Sequence, residues 1–218
     1  MSRFTSVDEF GRRVDRELPR LDIAVLNAGV LDQGYKVSPD GWETMLQVNL
    51  LSTMLLALLL TPKLKASRSE TSRAHLTVVA STGHLDVMPR VPSEGEGTML
   101  QSYNKKEGFA MIERYSLSKL FVMWVTRVLA AQVSHDGGPD VIINDVCPGG
   151  CSTDVLRDFS GPIVGTLKSL FQLLVLRTAE HGSRSLVNAT LLGEESQGKW
   201  WRDDMFPQYA SLYSCSVG

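Results

Sequence analysis

The chain has 218 residues, with 22 basic side chains against 24 acidic ones and three cysteines. At 43% hydrophobic and 21% charged it has the composition of one folded domain, which excludes intrinsic disorder. The near-neutral balance excludes a basic nucleic-acid groove or an anionic-membrane patch as its main purpose. The odd cysteine count, without CxxC or Cys/His metal spacing, points to a reducing, cytoplasmic setting.

The polar, acidic amino end is unlike a secretion or transit signal. Ser6 and Glu9 have capping-box spacing ahead of an amphipathic stretch of Val7, Phe10, Val14 and Leu18, which Pro19 ends. Asp22–Leu26 is a short apolar run closed by Asn27-Ala28-Gly29, and reads as a buried parallel strand. Ser38-Pro39-Asp40 opens a second helix, whose run from Leu50 to Leu60 is shorter than the roughly 20 residues a bilayer requires. His75–Ala80 is a second buried strand. Ser81 to about Met111 reads as a long loop, of a length that is uncommon unless functional. A third helix spans about Met111–Val133, Asp136–Pro139 breaks it, and Val141–Cys147 is a third strand with a Pro148-Gly149-Gly150 turn. Helical stretches follow near Ile163–Leu176 and Ala179–Leu192, and Gly198–Trp201 reads as a last short strand. Strands alternating with helices predict βαβ units in an open, parallel α/β sheet with helices on both faces.

Tyr115 and Lys119 are four residues apart on one helix face. A neighbouring ammonium favours the phenolate, so such a pair can relay a proton to a carbonyl or from an alcohol. Alone, the pattern is common on any amphipathic helix. Its companions sharpen it. Ser81 closes a strand on the sheet edge where open α/β folds place ligands. Asn49 is an amide inside an apolar helix and requires a partner from the helix backbone or water. Asn27-Ala28-Gly29 and Pro148-Gly149, followed by Thr153, close two more strands at that edge. His75, His135 and His181 have no partners at metal spacing and read as surface or capping residues, and Cys147 reads as a small core residue.

In this order the residues resemble the short-chain dehydrogenase/reductase family, over most of the chain. Asn27-Ala28-Gly29 is similar to its NAG motif, Asn49, Ser81, Tyr115 and Lys119 to its catalytic tetrad, and Pro148 to Thr153 to its PG-xxx-T element. His84 and the long interval from Ser81 to Tyr115 resemble the retinol-dehydrogenase-like branch. Glu180–Val187 and Gly198-Lys199-Trp200 resemble reductases of fungal secondary metabolism. The resemblance implies an NADP- or NAD-dependent oxidoreductase acting on a carbonyl or secondary alcohol. Tyr115 would be the acid/base. Lys119 would lower its pKa and bond the nicotinamide ribose, Ser81 would orient the substrate oxygen, and Asn49 would hold a water behind Lys119. Asn27, Ala28 and Gly29 would line the cofactor trough, with Gly149, Cys151 and Thr153 meeting the nicotinamide amide or pyrophosphate.

Family members open with a strand, a glycine-rich turn and a phosphate-binding helix. No such run precedes Asn27, so the resemblance implies an incomplete Rossmann-like sheet short of about 70 residues of the family's domain. The first strand would then be an exposed apolar edge, prone to pairing with another chain. Besides an active oxidoreductase, this leaves a cofactor-free ligand-binding or isomerase remnant, and a module that pairs its edge with a complete homologue. Met88, Val91, Met99, Leu100 and Phe109 in the long loop suggest an apolar small-molecule substrate. The helices at Leu50–Leu60 and Tyr115–Val133 offer surfaces for a homo-oligomer.

Overall fold

The computed structural model describes residues 1–69, 72–95, 97–135, 137–150 and 178–207. Helix α1 spans Phe4–Glu17 and buries Val7 and Gly11. Its start differs from the expected capping box: Ser6 lies inside the helix, and the Phe4 N–H instead donates to Asp40 Oδ2 at 2.6 Å. A distant carboxylate on an otherwise unpaired amide lets the helix begin earlier. Gly11 permits close approach to the next helix, since a Cβ there would stand 2.9 Å from Leu59 Cβ.

Strand β1 (Ile23–Leu26) turns Ala24 and Leu26 inward, while Ile23 and Val25 are 45% and 38% exposed. The expected helix start at Ser38 is not observed. Ser38 N–H bonds the Trp42 carbonyl at 2.7 Å, and Val37 bridges Glu43, so this stretch is a turn. Helix α2 (Leu46–Ser67) begins with a π segment at Leu46–Leu51 and continues as α-helix from Ser52. At 22 residues it is long and apolar enough to cross a membrane, which the Leu50–Leu60 run alone is not; most of it is buried inside the fold.

Strand β2 (Ala74–Val79) follows. The expected structureless loop contains a 3-10 turn at Thr82–Asp86 and a short helix α3 (Met99–Tyr103), closed by a Thr98/Gln101 capping box. Helix α4 (Met111–Gln132) then leads through a two-strand ribbon, β3 (Ser134–His135) and β4 (Gly138–Pro139), into β5 (Val141–Cys147), buried throughout. The helix expected at Ile163–Leu176 lies outside the described residues. Helix α5 (Ala179–Ala189) and strand β6 (Trp200–Arg202) follow.

The sheet order is β1-β2-β5-β6, every pairing parallel. Ala74, Leu76, Val78, Val141 and Ile143 share a core with Leu56, Leu60, Leu64, Leu117, Phe121 and Val122 of α2 and α4. On the opposite face Val79 and Val146 pack on Ala189 of α5, where Asn144 bonds the Ala189 carbonyl, Thr77 and Ser196. The α/β, Rossmann-like reading therefore holds, with helices on both faces of a parallel sheet.

Candidate active site

The carboxyl ends of β1, β2 and β5 open onto one edge of the sheet, and there the sequence places Asn27-Ala28-Gly29, Ser81 and Pro148-Gly149. Gly149 turns the chain away from β5 at φ +80°. Cys151 and Thr153 lie outside the described residues.

Asn49 sits in the π segment of α2, is 1% exposed, and spends its whole amide on protein partners. Its Oδ1 accepts from Val30 N–H at 2.8 Å, and its Nδ2 donates to Val30 O and Ser118 Oγ, both at 3.0 Å. It thereby ties the segment after β1 to α2 and α4. Gly29 closes this corner: a methyl there would stand 3.4 Å from Asn49 Oδ1 and 3.6 Å from Lys119 Nζ.

Ser81 is half-buried and its Oγ accepts from Gly83 N–H at 3.3 Å, opening the 3-10 turn. Gly83 packs against α4 so closely that a Cβ would fall 2.7 Å from Ser116 Oγ. That approach sets the Ser81 hydroxyl near the Tyr115 phenol, where it favours the ionised form. His84, 1% exposed, bonds the Ser81 carbonyl through Nδ1 and sets its ring edge-on to Trp200, 4.6 Å between centroids. Burial holds its pKa below the ordinary value, which favours the neutral ring.

Tyr115 is half-buried. Burial pushes its phenol up from the ordinary value, and the nearby Ser81 hydroxyl only partly opposes this. The expected lowering by Lys119 is not observed. The Lys119 Nζ stands 6.0 Å from the Tyr115 ring centre and donates instead to the Val79 carbonyl at 2.7 Å. Burial of that ammonium brings Lys119 itself down to about 8.

Two groups escaped the sequence reading. Glu43 and Arg114 are 0% and 3% exposed and pair at 3.9 Å. Glu43 accepts from the Met45 and Leu46 N–H groups, both at 3.0 Å, and so caps α2. Arg114 bonds the Tyr103 carbonyl and lies over the Tyr103 and Phe109 rings, which locks the loop onto α4 beside Tyr115. The visible signal was a charged residue just before each helix's apolar stretch. Phe109, with Tyr35 edge-on, thus holds the loop, and Met99 and Leu100 pack on the core; Met88 and Val91 stay exposed.

Asn27 and Ala28 are exposed and edge a groove of about 350 Å³ beside β1, shared with Phe10, Val14, Ile23 and Val25. Among the described residues, those that suit a nicotinamide dinucleotide serve one end of it. Tyr115, Lys119 and the Gly149 turn suit the nicotinamide-ribose end. The starts of α1 and α2 are capped by the carboxylates of Asp40 and Glu43, so neither is an open anion site.

Residues 1–93 match the family model described as short chain dehydrogenase. The chain is 40% identical, over its full length, to the short-chain dehydrogenase/reductase phmF of Phaeosphaeria nodorum, covering 63% of it. It is likewise 40% identical, over 94% of its length, to the short-chain dehydrogenase/reductase ffsI of Aspergillus flavipes, covering 59%. It therefore spans about three-fifths of these relatives. Among solved structures it resembles the Pseudomonas aeruginosa RhlG/NADP active-site complex, with TM-score 0.65 and 21% identity over 93% of this chain and 72% of that one. The aldohexose dehydrogenase of Thermoplasma acidophilum gives TM-score 0.62 at 17% identity, over 93% and 73%.

Proposed function

This chain belongs to the short-chain dehydrogenase/reductase family, and we propose that it carries the proton-transfer half of an NADP- or NAD-dependent oxidation or reduction at a carbonyl or secondary alcohol. The supporting observation is that the Ser81 hydroxyl, at the carboxyl end of β2, lies beside the Tyr115 phenol, with the Lys119 ammonium buried one helical turn further on. Bound nicotinamide supplies or accepts the hydride. Ser81 donates to the substrate oxygen, and Tyr115 exchanges its phenolic proton with that same oxygen. Lys119 keeps positive charge at the pair and offers N–H donors to the nicotinamide ribose. The exposed Met88 and Val91 favour an apolar small-molecule substrate. The fungal origin of the relatives fits a place in secondary metabolism, and the cysteine usage fits the cytoplasm.

A second reading rests on the carboxylate-capped starts of α1 and α2 and on β1 being the end strand of the sheet among the described residues. Under it the chain binds no dinucleotide tightly and pairs with a complete homologue. One experiment separates the two. Purified protein is given NADH or NADPH with a panel of apolar ketones, and the nicotinamide absorbance is followed. Turnover that Tyr115→Phe abolishes supports the oxidoreductase; no turnover with either cofactor overturns it. Cofactor-quenched fluorescence with micromolar binding excludes the second reading.

A further inference from the structure

Strand β5 reads Val-Ile-Ile-Asn-Asp-Val-Cys and is buried along its whole length, yet its fifth residue is a carboxylic acid. Asp145 is 0% exposed, and neither of its oxygens has a hydrogen bond of ordinary geometry among the described residues. A buried carboxylate without compensation costs several kcal/mol, so the group either takes up a proton or has a charge within reach.

The sheet register shows where that charge is. Asp145 is paired with Val78 and shares its face, the face that α4 covers. One residue along, Val79 is paired with Val146, and the Val79 carbonyl holds the Lys119 Nζ at 2.7 Å. Adjacent strands are about 4.8 Å apart, so Lys119 descends from α4 onto the two strands beside Asp145. Thr126, seven residues further along the same face of α4, places its hydroxyl near the carboxylate. The other groups facing this pocket are Arg127 from α4, Cys147 from β5, Trp200 from β6, and His84 and Tyr115 at its outer end.

We propose that Asp145 is a positioning residue, the buried counter-ion that holds the Lys119 ammonium charged beneath Tyr115. The inference rests on the reading of Tyr115 and Lys119 as the reacting pair. Burial alone drives Lys119 towards its neutral amine, and the Asp145 field opposes that loss; in return Lys119 and Arg127 oppose the neutralisation of Asp145. Burial still dominates at both sites, bringing Lys119 to about 8 and Asp145 to about 7. Near neutral pH the pair is therefore partly ionised, with titrations that belong to both residues together.

The test is an NMR titration of protein carrying 13C at the lysine Cε and aspartate Cγ positions, without cofactor or substrate. In Asp145→Asn, the Lys119 transition moves down by about one pH unit or more, a tenfold change in its acid constant. By reciprocity, Lys119→Met moves the Asp145 transition up by a comparable amount, so a reading survives if one variant does not fold. A Lys119 transition unchanged within about 0.3 unit in Asp145→Asn, an Asp145 transition unmoved in Lys119→Met, or an Asp145 carboxyl still protonated above the Lys119 transition overturns the counter-ion. No step needs turnover: coupling without nicotinamide activity refutes the catalytic reading and leaves the counter-ion standing.

Discussion

Removing the Glu43 side chain is the most demanding test of how the site is held. In Glu43→Ala the Met45 and Leu46 amides lose their acceptor, a cap worth about 1 kcal/mol. Arg114 is stranded at 3% exposure, and losing one partner of a buried pair costs about 3–5 kcal/mol. Arg114 keeps the Tyr103 carbonyl and two ring faces, so the low end applies and the total is about 4 kcal/mol. At this chain length that lowers Tm by roughly 8–16 °C. The pair itself is not a net asset: burial pushes Glu43 up and Arg114 down from their ordinary values, so desolvation outweighs mutual attraction. The double variant Glu43→Leu/Arg114→Met therefore recovers more than half of the loss. A pKa raised above 4.5 means the folded state holds the Glu43 proton more tightly. This group's contribution to stability consequently falls as pH rises from 4.5 towards the folded value, a slope that Glu43→Gln abolishes. Urea melts at several pH values read both effects. A Glu43→Ala loss below about 1 kcal/mol, or a double variant no better than the single, refutes the reasoning.

Two further changes probe the same frame. Asn49→Ala leaves the Val30 amide and carbonyl unpaired in a half-buried position and costs about 2 kcal/mol in a urea melt; a loss under about 0.5 kcal/mol would show that water replaces the side chain without penalty. Val25→Lys places a charge on the open edge of β1, so light scattering should show less concentration-dependent association at a stability within about 0.5 kcal/mol of the parent. Unchanged association would mean that the edge is not where copies meet.

The strands were legible because each is a short apolar run ended by glycine, proline or a polar residue, and Val141–Cys147 is recovered residue for residue. Helix starts were not, because the groups that set them are distant in sequence: Asp40 serves α1, and Glu43 displaces the start expected at Ser38. The tetrad positions were legible as a pattern, but their electrostatics were not. The spacing of Tyr115 and Lys119 cannot reveal that Nζ is directed to the Val79 carbonyl, nor that burial acts on the phenol more strongly than its neighbours do. Asp145 went unremarked because a single acid in an apolar strand acquires meaning only once the register sets it beside Lys119.

The π segment of α2 bears on how this chain can change in length. A π turn carries one more residue than an α turn, and here the surplus is accommodated at Leu46–Leu51, where the Ser52 N–H reaches back to Gln47 O. Deleting one residue there would restore regular α geometry with the flanking turns nearly in phase, because the π turn itself absorbs the surplus residue. Leu56, Leu60 and Leu64 would stay on the sheet, while Asn49, inside the turn, would lose the local geometry by which it reaches Val30. Length in this helix is thus a quantised variable: insertions and deletions are tolerable in the exposed stretch around Pro92, but at Leu46–Leu51 a single codon separates an assembled corner from a dismantled one.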